Sequence, residues 1–433
     1  RVKKMGDLIL KNCKTIENEI VNIIIEEGKI KEIKKELLSS DKTTDNIIDV
    51  KEKTVIPGLI DPHVHLRDPG LTHKEDWKSG SEAAAHGGYT TIIDMPNTVP
   101  TTNTLKAFKE KKEIANKKSC VDFALHAGVK TKKDVEEILE EKPAAYKIFM
   151  DLHEIDELYQ MFEYVSKTDK PLCLHCEDKN IVDYNIKTLS SNPDNDFKTI
   201  SYSYARSALA ELIAVNRAIE FAKKLDLQIH LCHISTRQTL ELIHEARTSA
   251  NITIEATPHH IFLDNTTYEN YGIKAKTNPP LRDKNYNITL DLLNEFDSIG
   301  TDHAPHTLEE KQKNTWTSAA GIPGLEATLP LLLTEVNKNK ITLDEVVRLT
   351  SHNPSKIFKI PNKGFLKEGY DADITVLDMK KEGKIDVDNW FTQAKYTPFE
   401  NREYIGCNVM TINRGNIVSE ENEVYKNEGK YVY

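Results

Sequence analysis

The chain has 433 residues, 39% hydrophobic and 29% charged, with a net charge of −10. That length accommodates two or three ordinary domains, or one large α/β barrel with an appendage. The dispersed negative charge gives no electrostatic footprint for nucleic acid, and no apolar run approaches the roughly 20 residues that span a bilayer.

Residues 1–6 lead straight into strand-like patterns without the apolar core of a signal peptide, and Arg1 in place of Met suggests a trimmed or engineered start. Six scattered cysteines form no disulfide framework, so a reducing cytoplasm is the expected setting. Residues 7–56 read as a β meander: Leu8-Ile9-Leu10, Ile20 to Ile25, a turn at Glu27-Gly28, Ile30 to Ile33, and Ile47 to Val50. The apolar run 54–60 then enters Asp61-Pro62-His63-Val64-His65-Leu66-Arg67. Side chains two apart on a strand share a face, so His63 and His65 point the same way. Neutral imidazole is a good ligand for zinc and similar ions, so the pair reads as half of a metal site. The plainer alternative is that both satisfy core hydrogen bonds.

Apolar β-type segments alternate with helical ones from here on. Strands are expected at 59–65, 90–95, 121–128, 145–150, 171–177, 228–234, 252–257 and 298–303, with the plainest helices at 205–225 and 239–246. Eight buried strands separated by helices predict an α/β fold of the (β/α)8 TIM type. A doubly wound sheet is the alternative, but no G-x-G-x-x-G follows the first strand. From 364 to 433 the strand patterns return, at Asp373-Ile374-Thr375-Val376-Leu377 and Val409-Met410-Thr411-Ile412. Neither end has enough strands to stand alone, so 1–56 and 364–433 are expected to pair into one small β domain flanking a barrel at 57–363.

Barrel chemistry sits at the C-terminal ends of the strands. Strand one ends in His63 and His65, strand four carries Lys147, strand five ends in His175, strand six in His233, and strand eight in Asp302. Cys173 and Cys176 form a C-x-x-C around His175, but no second pair completes a structural zinc site, and a redox role is not expected.

With these residues in view, the chain resembles the amidohydrolase superfamily, and within it the dihydroorotases of the multifunctional-complex type. The stretches that carry the resemblance are Pro57 to Arg67, Asp94-Met95-Pro96-Asn97-Thr98, Thr257-Pro258-His259-His260, Asn278-Pro279-Pro280-Leu281-Arg282, Thr301-Asp302-His303-Ala304-Pro305-His306 and Gly321-Ile322-Pro323-Gly324-Leu325-Glu326. The resemblance implies reversible cyclisation of N-carbamoyl-L-aspartate to L-dihydroorotate in pyrimidine synthesis. It also implies two zinc ions, one held by His63, His65 and Asp302, the other by His175 and His233. Lys147 would bridge them as a carbamate, with Asp151 as the alternative bridge. Burial and neighbouring cations should depress the Lys147 amine and favour its neutral form. Asp302 would take the proton of the attacking water and deliver it to the leaving nitrogen.

The metal cluster is common to hydantoinases, dihydropyrimidinases and allantoinases, so substrate choice rests elsewhere. Arg67 falls two residues beyond His65, on the same face if the strand persists, and its guanidinium fork matches a carboxylate. By resemblance Asn97 and His306 join it, while Asn278 and Ala320-Gly321 contact the ring. His303 is expected to be structural, and His259 and His260 to brace loops. The stretch from His306 to Gly324 would be a lid or a disordered insertion, with its charge run around Glu309 to Asn314 solvated. Homo-oligomerisation or association with aspartate transcarbamoylase is the expected partnership, and a non-catalytic scaffold the remote alternative.

Overall fold

The structure is a computed structural model describing residues 7–38, 44 and 46–433. The first six residues, read above as a trimmed or engineered start, lie outside it. Among the described residues, eight parallel barrel strands follow the expected order: Leu59–Val64, Tyr89–Asp94, Asp122–Leu125 continuing as Ala127–Gly128, Tyr146–Phe149, Leu172–His175, Ile229–Leu231, Ile252–Ala256 and Ser298–Ile299. These runs are buried on both faces, as parallel strands covered by helices must be, and so read as continuous apolar segments. The ring closes between strands eight and one, where the His65 amide donates to His303 O at 2.8 Å.

Several strands stop earlier than expected. Strand six ends at Leu231 rather than 234, and strand eight at Ile299 rather than 303. His233 and Asp302 then take left-handed backbone conformations, φ 35° and 48°. Few non-glycine residues do so, and the turn aims each side chain individually rather than by strand alternation. The helix expected from 205 begins at Ala208, behind a separate helix, Thr199–Ala205. Between them Arg206 leaves helical geometry at φ −95°, ψ 62°.

Both ends of the chain build one mixed sheet of nine strands among the described residues. The strand Thr54–Pro57 sits inside it, touching Leu8–Lys14 on one side and pairing antiparallel with Ile374–Lys384 on the other. At the meander's first tight turn Glu27 and Gly28 both have positive φ, 51° and 77°, the geometry that matches the twist of hairpin strands. Leu8, Leu10, Ile23, Ile25, Ile374 and Val376 form part of a separate apolar core beneath this sheet. Among the described residues no helix is long and apolar enough to cross a membrane.

Candidate active site

His63, His65, His175, His233 and Asp302 converge on one cavity of about 310 Å³ at the strand ends. His63 Nε2 and His65 Nε2 lie 3.4 and 3.1 Å from the same atom, Asp302 Oδ1. His175 Nδ1 lies 3.1 Å from His233 Nε2, and the His63 and His233 rings are 5.3 Å apart.

The opposite ring nitrogens are engaged by side chains behind them. His63 Nδ1 donates to Glu255 Oε1 at 2.7 Å, His65 Nδ1 to Asn97 Oδ1 at 2.7 Å, and His175 Nε2 to Glu177 Oε2 at 2.9 Å. Such backing fixes the tautomer and turns the other lone pair inward, the arrangement found behind metal-bound histidines. Gly300 makes room for it, because a Cβ there would lie 2.4 Å from Glu255 Oε2 and 2.9 Å from His63 Cβ. Burial keeps His65 neutral, pushed down to about 4, and holds His233 well below its ordinary value. Burial opposes ionisation of Asp302, but His63 and His65 hold its carboxyl well below the usual carboxylate range. His63 differs: burial opposes its charge, yet Glu255 and Asp302 raise it well above its ordinary value. Imidazole nitrogens with a carboxylate oxygen form a donor set that suits zinc and its borderline neighbours.

Two further acid-and-histidine groupings are less apt for a cation. Asp151 and Glu177 meet His175 on its outward nitrogen, where the Arg206 guanidinium already pairs with both carboxylates. Cys232 and Glu255 meet His63 on the side already taken by the Glu255 hydrogen bond. Asp151 is therefore claimed by Arg206, at the face of His175 turned away from His233.

Lys147 is buried on strand four, and its Nζ donates to Cys232 Sγ at 3.0 Å. The expected depression of its amine is not found. Burial does favour the neutral form, but Cys232, Cys173 and Glu255 outweigh it and raise the amine above its ordinary range. Cys173 itself hydrogen-bonds Cys232 rather than pairing with Cys176, and all six cysteines are free and buried.

Arg67, Asn97, Asn278, His306, Ala320 and Gly321 line the same cavity. Arg67 arrives by a different route from the one expected. The strand ends at Val64 and Arg67 is left-handed at φ 63°, yet its Nε donates to Pro305 O at 3.2 Å and its Nη2 sits 3.1 Å from His306 Nε2. Lys74 Nζ donates to His306 Nδ1 at 3.3 Å, so the ring proton sits on Nε2, 3.0 Å from Ala320 O. Burial, then Arg67 and Lys74, push His306 down to about 2, leaving it neutral. Asn97 and Asn278 are each oriented through Oδ1, by His65 and by the Tyr202 hydroxyl at 2.6 Å, so both turn amide hydrogens toward other partners.

His303 and His260 have structural surroundings. His303 Nδ1 accepts from the Gly324 amide at 3.2 Å, and His260 bridges Thr257 Oγ1 and Pro279 O at 2.6 and 3.1 Å. The stretch after His306 is neither a detached lid nor shapeless. It holds a short helix, Leu308–Lys311, capped by Thr307, and Trp316 Nε1 donates to Asp196 Oδ1 at 3.0 Å. Within its charge run Lys311 is 2% exposed, so that residue is not solvated as expected.

Glu255, Glu177, Arg206 and Tyr202 went unnoticed in the sequence. Glu255 and Glu177 did leave a trace, each a carboxylate at the end of an otherwise apolar strand segment. Arg206 and Tyr202 lie in helical sequence and left none.

Comparison with known proteins agrees with this geometry. The profile described as the amidohydrolase family matches residues 54–418. A dihydroorotase of Methanosphaera stadtmanae is 72% identical over 429 residues, covering 99% of this chain and 100% of the relative. A dihydroorotase of Methanothermobacter thermautotrophicus is 41% identical over 430 residues, covering 99% and 97%. Among solved structures, an L-hydantoinase (dihydropyrimidinase) from Arthrobacter aurescens superposes with a TM-score of 0.91 at 30% identity, covering 97% of each chain.

Proposed function

The chain belongs to the amidohydrolase family, among its dihydroorotases, and from that membership we propose how its residues interconvert N-carbamoyl-L-aspartate and L-dihydroorotate in pyrimidine synthesis. The enzyme is a metal-dependent cyclic amide hydrolase. Its barrel, 57–363, is the catalytic unit, and the described strands before residue 57 and after residue 363 form the sheet that supports it.

His63, His65 and Asp302 would hold one metal ion and His175 and His233 a second, with Lys147, as a carbamate, the sixth ligand residue; zinc suits that donor set. Three inward lone pairs and one carboxylate on a few ångströms of cavity floor support that reading, as does the claim of Arg206 on Asp151. When bound, such a centre activates a water and polarises the amide carbonyl.

The chain's own groups do the rest. Asp302 is ionised at neutral pH and accepts the proton of the attacking water at its carboxylate, then passes it to the leaving ring nitrogen. Arg67 and the amide hydrogens of Asn97 take the exocyclic carboxylate, with His306 beside the guanidinium. Asn278 and the main chain at Ala320-Gly321 meet the ring.

The observation that carries this reading is the Arg67 guanidinium, buried in the same cavity as the histidines. A neutral cyclic amide such as hydantoin offers it no partner, and an unpaired buried cation is costly. Steady-state turnover of dihydroorotate, hydantoin and allantoin by metal-loaded enzyme tests it. Dihydroorotate should be strongly preferred, whereas turnover of hydantoin alone would replace this reading with a hydantoinase, the activity of the superposed structure.

A further inference from the structure

Two lysines reach the active-site rim from within the protein. Lys311 Nζ donates to the carbonyls of Lys276, Ala319 and Gly321 at 3.1, 3.1 and 2.9 Å, which uses all three ammonium hydrogens. Lys276 Nζ donates to Thr315 O and Ser318 O at 2.8 and 2.7 Å and lies 3.9 Å from the centre of the Tyr202 ring. The loop returns the contact, since the Gly321 amide donates to Lys276 O at 2.8 Å. Tyr396, from the C-terminal part of the chain, donates its hydroxyl to Gly321 O at 3.2 Å. Gly321 itself has φ 140°, and a Cβ there would lie 2.4 Å from Ala304 O, so the loop has one course through this point.

We infer that Lys276 and Lys311 are positioning residues that hold segment 315–321 against the substrate cavity and thereby set the affinity for the cyclic substrate. The inference rests on the dihydroorotase reading for which ligand is held, but the bracing does not depend on it. The side chains are 1% and 2% exposed, and a buried ammonium is tolerated only when its hydrogens are taken up, here by the carbonyls of the loop itself. Positive groups also act on them: Arg206 on Lys276, and Lys276 and Arg67 on Lys311. Burial and then these neighbours push Lys276 down to about 7 and Lys311 well below its ordinary value. An anionic substrate beside Arg67 adds negative charge on the cavity side of this cluster. Binding of substrate and ordering of the loop therefore favour one another.

The test uses metal-loaded Lys311→Met, Lys276→Met and Tyr396→Phe. Each is read by metal content, by kcat and KM for dihydroorotate, and by hydrogen exchange of the amides in 315–321. Losing one charge-assisted set should raise KM by about 10- to 100-fold, far more than kcat falls, with metal content intact and loop exchange faster. Tyr396→Phe keeps both lysines and should give the same pattern with KM raised about two- to fivefold. An unchanged KM in a folded, metal-loaded lysine variant overturns the inference, as does loss of metal together with activity. If neither lysine variant folds, Tyr396→Phe decides: an unchanged KM and unchanged loop exchange overturn it. Should the wild-type enzyme ignore dihydroorotate while the variants still loosen 315–321 and raise KM for hydantoin, the substrate assignment fails and the bracing stands.

Discussion

Three histidines on the cavity floor, His63, His65 and His175, are backed by the side chains of Glu255, Asn97 and Glu177, whereas Arg67, His306 and the lysines on its rim are held by main-chain oxygens. Arg67 leans on Pro305 O, His306 on Ala320 O, and Lys276 and Lys311 on a run of loop carbonyls. Backing by a carboxylate or amide settles which ring nitrogen carries a proton, and a metal ligand depends on that. Anchoring through carbonyls settles only the path of a loop, which tolerates other side chains along it. The floor thus suits chemistry common to many cyclic amidases, and the rim suits selection among them. The close superposition on an L-hydantoinase fits a common floor.

The sharpest way to separate the two is to remove a floor residue that moves a proton. Asp302→Asn should lower kcat for dihydroorotate by about 10³- to 10⁴-fold in steady-state assays, with a much smaller change in KM. Arg67→Met should do the reverse, raising KM for dihydroorotate by about 100-fold while metal content, measured by elemental analysis, stays intact. Loss of metal in that variant would mean that floor and rim are one structure. Glu255→Gln keeps shape but weakens the support behind His63, and chelator competition should find metal affinity lower by about tenfold.

The smallest effect concerns a histidine that belongs to neither group. His126 donates Nε2–H to Pro62 O at 2.9 Å, and burial pushes it down to about 3. It is neutral in the fold, while the unfolded chain takes up its proton below about pH 6.5. Its contribution is therefore complete above that pH and is lost as pH falls toward 3, at about 1.4 kcal/mol per pH unit. Thermal unfolding at pH 7 and 5.5 should give a smaller drop in Tm for His126→Gln than for the wild type.

How much was legible follows from the same division. His63 and His65 could be placed because strand alternation is a local rule, and His175 because its strand runs through to it. His233 and Asp302 were recognisable as residue types, but left-handed turns that no local pattern announces aim them. Arg67 reached the cavity although its own backbone is left-handed, where alternation no longer applies. The lysines were opaque for another reason. Lys311 stands in a hydrophilic run and reads as surface, and only the loop folding back over it makes it interior. The break at Arg206 was invisible too, because a strongly helical sequence surrounds a residue whose reach to Glu177 comes from outside that helix.

The placement of Thr54–Pro57 bears on how the molecule is made. Its partner Ile374–Lys384 lies some 300 residues downstream, so a ribosome adding about 5–20 residues per second needs on the order of 15–60 s to supply it. Until then Val55 and Ile56 present an unpaired apolar edge, a template for any nascent neighbour. Production yield should consequently be limited by crowding of unfinished chains on the same message, and slower initiation or cooler growth should relieve it more than any change to the finished barrel.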